Sequence, residues 1–78
     1  MNPAPGRQIL AIEDEAVIRL LLETFLTNQG YKVITAESAE KGMSLFLEHI
    51  ESINLIITDL NLPGASGLQL MENIQKIR

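Results

Sequence analysis

The stretch Asn54-Leu55-Ile56-Ile57-Thr58-Asp59-Leu60-Asn61-Leu62-Pro63-Gly64-Ala65-Ser66-Gly67 decides the reading of this chain. Leu55-Ile56-Ile57 is a short apolar run rich in β-branched residues and bounded by turn formers, which predicts a strand covered on both faces in a parallel sheet. Asp59 then stands at the strand's carboxyl end, the edge at which open α/β sheets bind their ligands. Pro63-Gly64 and Gly67 mark a loop. Ser66 and Gln69 have capping-box spacing, so a helix is predicted to start there and run through Leu68, Leu70, Met71 and Ile74 toward Ile77.

The same design occurs earlier. Gln8-Ile9-Leu10-Ala11-Ile12 is a second continuous apolar run, and it ends on Glu13-Asp14-Glu15. From Ala16 to Gln29 the apolar residues fall on helical spacing in two ways, as Val17, Leu20, Leu21 and Phe25 or as Ile18, Leu22 and Phe25, with Gly30 as a left-handed stop. A stripe this wide predicts cover by more than one neighbour. Tyr31 to Ala36 reads as a third strand. Ser38 is placed to cap a helix from Ala39 to about His49, with Met43, Leu45, Phe46, Leu47 and Ile50 on its buried side. Strands alternating with helices predict right-handed crossovers and a parallel sheet, an α/β fold.

Composition bounds the rest. Seventy-eight residues, 46% apolar and only 4% aromatic, make at most one small domain, with about 4 to 12 kcal/mol of stability at usual per-residue values. Residues 1 to 6, with Pro3, Pro5 and Gly6, read as a disordered lead-in. The absence of cysteine excludes disulfides and thiolate metal sites. A net charge of −4 with scattered Arg7, Arg19, Lys32, Lys41, Lys76 and Arg78 argues against intrinsic nucleic-acid binding. With no apolar segment of membrane-spanning length and no signal-peptide pattern at the start, the expectation is a cytoplasmic protein without a membrane partner.

If the first and third strands are neighbours, Glu13, Asp14 and Asp59 meet at one edge, where their charges repel. A hard divalent cation relieves that repulsion, and magnesium is bound by one or two carboxylates, waters and phosphate oxygens. Asp59 beside such an ion suits nucleophilic chemistry on a phosphoryl group. Plainer readings stand beside this one. Glu15 suits the positive end of the following helix, Asn61 suits a turn, and His49, the only histidine, suits a helix terminus better than a phosphorelay role.

These two motifs, Ile9-Leu10-Ala11-Ile12-Glu13-Asp14-Glu15 and Leu55 through Gly67, together resemble the receiver domain of two-component response regulators, the CheY-like family. The resemblance implies a flavodoxin-like doubly wound parallel sheet whose three βα units have strand order 2-1-3. It implies that Asp59 accepts a phosphoryl group from a histidine kinase or phosphotransfer protein, and that Mg²⁺ is held by Asp14, Asp59 and the backbone carbonyl of Asn61, with Glu13 assisting. Such a domain is not an enzyme in its own right. The resemblance covers this whole chain but about two thirds of a receiver, so residues 7 to 78 are expected to form a C-terminally truncated receiver domain. The last two βα units, with the family's switch Ser or Thr and its Lys, have no counterpart here. Thr58 does not take the switch role. An exposed third-strand edge and an uncovered first helix then predict a homodimer or domain-swapped assembly. The alternative is a non-catalytic dimerisation or interaction module derived from a receiver.

Overall fold

The structure is a computed structural model that describes residues 7–59 and 67–77. The lead-in at 1 to 6, the Pro63-Gly64 loop, Asn61 and the cap residue Ser66 lie outside the described residues. Within them the chain alternates β1 (Gln8–Ile12), α1 (Ala16–Asn28), β2 (Lys32–Ala36), α2 (Ala39–Glu48), β3 (Ile53–Thr58) and α3 (Gly67–Ile77). The three strands form a parallel sheet in the order β2-β1-β3, as expected.

Local sequence accounts for the boundaries. Gly30 has φ 97, which only glycine adopts freely. It closes α1 with its N–H on Thr27 O at 3.0 Å, while the Tyr31 N–H reaches Leu26 O at 3.2 Å, the paired bonds of a Schellman stop. Ser38 caps α2 by accepting from the Lys41 N–H at 3.1 Å.

The central strand is buried on both sides, with Ile9, Leu10, Ala11 and Ile12 all inaccessible. Leu10 and Ile12 join Ala36, Ala39, Phe46, Ile53 and Ile74 in the main core, beneath α2 and α3. Ile9 and Ala11 point the opposite way by strand alternation, toward the face over which α1 crosses β1 and β2. β3 carries one irregularity. Gln8 pairs with Ile53 but Ile9 pairs with Leu55, so Asn54 is a bulge residue, and its side-chain oxygen accepts the Gln8 N–H at 3.0 Å. The extra residue lets Ile53 and Ile56, three apart, both face the main core.

Three sequence expectations need correction. β3 is not covered on both faces: Leu55 is 53% exposed, because on its side of the sheet α1 packs over β1 and β2. Leu47 does not belong to the buried side of α2; it is exposed, and the helix instead packs through Ala39, Gly42 and Phe46, one residue per turn. The wide stripe of α1 is covered on one side alone. Leu26 is buried and Leu22 half-buried, whereas Val17, Leu20, Leu21 and Phe25 face outward, Val17 at 71% exposure. In α3, Ile74 is buried.

Gly42 is the close-approach point between α2 and β1. A Cβ there would lie 2.5 Å from Ile12 Cδ1 and 2.9 Å from Cγ1, and Ile12 is itself fully buried and has nowhere to turn. Gly42→Ala gains about 1 kcal/mol of helix propensity but overpacks the core at a cost of roughly 1–3 kcal/mol. The clash should win. Urea unfolding followed by circular dichroism should give a lower midpoint for Gly42→Ala; an unchanged or raised midpoint would show that the α2–β1 contact is slack.

Candidate functional site: an acidic pocket at the carboxyl edge of the sheet

A parallel ladder brings the carboxyl ends of neighbouring strands to one edge, and here β1 and β3 both end on acidic residues. The register pairs Ile12 with Thr58, so Glu13 and Asp59 are the next residues out on adjacent strands. Both remain tied to the sheet by their main chain. The Glu13 N–H donates to Ala36 O at 2.9 Å, and the Asp59 N–H donates to Ile12 O at 3.3 Å. The side chains thus project from backbone that the sheet has already fixed.

Carboxylate oxygens of Glu13, Asp14 and Asp59 all lie within 4.8 Å of one another. Glu13 is buried, at 8% exposure, while Asp14 and Asp59 are open to solvent. The Glu13 carboxylate accepts the Glu15 N–H at 3.1 Å, which partly offsets the cost of burying it. An all-oxygen, triply anionic donor set suits a hard cation and not a soft one. Opposite ligands of an octahedral Mg²⁺ stand about 4.2 Å apart at ~2.1 Å metal–oxygen distance, so the observed spread is of the right order for one ion. The residues present therefore fit a magnesium ion, with Asp14 and Asp59 as the accessible ligands and Glu13 as the inner one.

The structure thus brings together three of the four residues singled out in the sequence; the fourth, Asn61, lies outside the described residues. Glu15 is the N-cap residue of α1 and makes no side-chain cap hydrogen bond, so its charge sits at the positive end of that helix. Lys32 pairs with Gln8 at the far end of the sheet from the pocket. His49 ends α2, with its ring 3.9 Å from the Glu48 carboxylate and its carbonyl accepting from Ser52 and Ile53. One residue at the site escaped the sequence reading. Arg19, on the first turn of α1, donates from Nη1 to Glu13 O at 2.9 Å and, more weakly, to Asp14 O at 3.4 Å. Its position five and six residues beyond the acidic pair was the available signal.

Comparison with known proteins agrees with this architecture. A family model described as "Response regulator receiver domain" matches residues 9–78. The transcriptional regulatory protein AfsQ1 of Streptomyces coelicolor is 41% identical over 68 residues, 87% of this chain but 29% of its own length. A response regulator receiver domain protein from Clostridium thermocellum superposes with a TM-score of 0.88 at 37% identity, over 90% of this chain and 56% of that one. Response regulator TrrA of Thermotoga maritima, solved in complex with Mg(2+)-BeF and also with histidine kinase ThkA, is 36% identical. Its Mg(2+)-BeF complex has a TM-score of 0.86 over 92% of this chain and 61% of that one. The chain thus spans well under half of its first curated relative and somewhat over half of these solved receivers. By sequence match, strand order and overall shape, the chain belongs to the response regulator receiver domain family.

Proposed function

We propose that this chain, over residues 7 to 78, is the phosphoacceptor domain of a two-component phosphorelay, with Asp59 the residue that takes the phosphoryl group. The observation that carries the reading is the convergence of Glu13, Asp14 and Asp59 at the carboxyl edge of the sheet, with Asp59 exposed at its rim. Asp14, Asp59 and the backbone carbonyl of Asn61 would hold Mg²⁺, with Glu13 assisting; the ion, when bound, neutralises charge on the phosphoryl oxygens. An oxygen of the Asp59 carboxylate attacks phosphorus in line as the P–N bond of the donor's phosphohistidine breaks, and the bonding pair returns to the imidazole. The donor is a histidine kinase or phosphotransfer protein, the partner class with which receiver domains interact, as TrrA does with ThkA. Asp59 is consumed in the step, so the chain is a phosphoryl acceptor and not a turnover enzyme. No helix of the described residues is long and apolar enough to cross a membrane.

The test is intact mass after incubation with Mg²⁺ and a small acyl phosphate or phosphoramidate. The parent chain should gain a single phosphoryl adduct, chelation of Mg²⁺ should abolish it, and Asp59→Asn should not acquire it. An adduct that survives in Asp59→Asn would place the acceptor elsewhere and overturn the assignment.

A second reading, an interaction module, is favoured by one observation: Val17, Leu20, Leu21 and Phe25 of α1 are exposed on the sheet face that Leu55 of β3 also occupies. Monomers seldom expose a patch beyond about 300–600 Å², and a standard interface buries about 800 Å² per partner. The occupant we propose is a second copy. A two-fold axis perpendicular to the sheet would pair the two β3 edges antiparallel and bring Leu55 of each copy together near the dyad, with the two α1 helices flanking that apolar floor on the same face. Sedimentation should show a concentration-dependent dimer, weakened roughly 10-fold or more by Leu55→Glu. Because Leu55 is already exposed, that variant should stay folded. A monomer at every concentration would eliminate the dimer.

A further inference from the structure

We infer that Arg19 is a positioning residue of the acidic pocket, one that holds the Glu13–Asp14 main chain so that both carboxylates stay aimed at a shared divalent cation. The inference rests on the reading above that the pocket takes such an ion. Its basis is how the turn from β1 into α1 is fastened. Strand-to-helix turns carry carbonyls that no ladder satisfies, and they are held by whatever donors approach them. Here Glu13 is fastened at three points: its N–H to Ala36 O, its carboxylate to the Glu15 N–H, and its carbonyl to Arg19 Nη1. Asp14 is exposed, and the one side-chain hydrogen bond that reaches it among the described residues comes from the same Nη1. Arg19 is in turn set by α1, with its N–H on Glu15 O at 2.9 Å. A single guanidinium therefore spans the two consecutive residues whose side chains form one wall of the pocket. A planar fork with five donors suits that role better than a flexible ammonium.

The sign of one measurement separates this role from a purely electrostatic one. A cation beside the pocket repels Mg²⁺, so removing its charge should tighten Mg²⁺ binding if charge is all that Arg19 contributes. If Arg19 instead positions the ligands, its loss should weaken binding, as loss of a residue that orients metal ligands does by about 10-fold or more. The experiment is titration with Mg²⁺ alone, read from backbone amide shifts, on the parent, Arg19→Met and Arg19→Lys. In parallel, hydrogen exchange of the Glu15 amide is followed in metal-free protein. Arg19→Met should raise the Kd for Mg²⁺ about 10-fold and speed Glu15 exchange about 10-fold. Arg19→Lys, which keeps the charge and a donor, should recover part of both. Unchanged or tighter Mg²⁺ binding with unchanged exchange in Arg19→Met overturns the proposal. Should Arg19→Met unfold, the Lys variant decides alone: a Kd and Glu15 exchange rate equal to the parent's would count against positioning by the fork. A parent that binds no Mg²⁺ would instead defeat the metal reading, and the exchange comparison would still show whether Arg19 fastens the turn.

Discussion

The position of β1 between β2 and β3 is the constraint on which the rest depends. A strand paired on both edges and covered on both faces must be apolar throughout, and Ile9-Leu10-Ala11-Ile12 meets that demand. Because both ladders are parallel, all three strands end at one edge of the sheet. The polar residues excluded from β1 and the polar end of β3 are therefore delivered to the same place. The acidic pocket is a consequence of topology before it is a feature of any loop, and its two backbone anchors are continuations of the ladders themselves, Glu13 on Ala36 and Asp59 on Ile12.

Much of this could be read from the residues, for a physical reason. The strand runs, the helix between Ser38 and His49 and the glycine at position 30 are all encoded by local chemistry or by short-range periodicity, whereas the meeting of Glu13-Asp14 with Asp59 followed from the strand order that the family resemblance implied. Three further features were not so encoded: two depend on contacts distant in sequence, and the third on a side-chain-to-backbone bond within one strand-to-helix turn. The Asn54 bulge is invisible until Gln8 lies across from it, when the side-chain amide oxygen takes up the Gln8 N–H. The two candidate stripes on α1 fit the sequence equally, and only packing on the sheet shows that Leu22 and Leu26 turn inward while Val17, Ile18, Leu20, Leu21 and Phe25 stay exposed. In the sequence Arg19 reads as one scattered base among six, because a hydrogen bond to a backbone carbonyl leaves no residue-type signature on the acceptor and only the spacing from Glu13-Asp14 points to it.

The small residues of α2 show how the core sets the distance from which the site is built. Ala39 and Gly42 let the helix sit close against β1, near enough that the Ile12 side chain fills the space a Cβ at residue 42 would need. Ile12 is the last residue before Glu13, so the α2–β1 contact fixes the strand end from which the inner carboxylate departs. Phe46, one turn further along the same face of the helix and fully buried, joins Ile12 in the main core. Packing and pocket geometry are therefore not separable at this position.

The pocket itself is arranged to favour a ligand over its own apo state. Glu13 is buried with a backbone N–H as its hydrogen-bond donor, and two further carboxylates crowd within 4.8 Å. Burial and like charge both disfavour three anions in so small a volume, and the ladder bonds to Ala36 and Ile12 hold their backbone in place against that repulsion. Whatever relieves the repulsion must bind the folded chain in preference to the unfolded one, where the carboxylates are apart, and by linkage it must stabilise the fold by RT ln(1 + [L]/Kd). A divalent cation would meet that requirement with the donors present, and it would lie beside an exposed aspartate whose phosphorylation would add further oxygen ligands. On the proposed reading, cation, phosphoryl group and fold would be coupled through the same three side chains, because each of them acts on the repulsion that the ladder bonds hold in place.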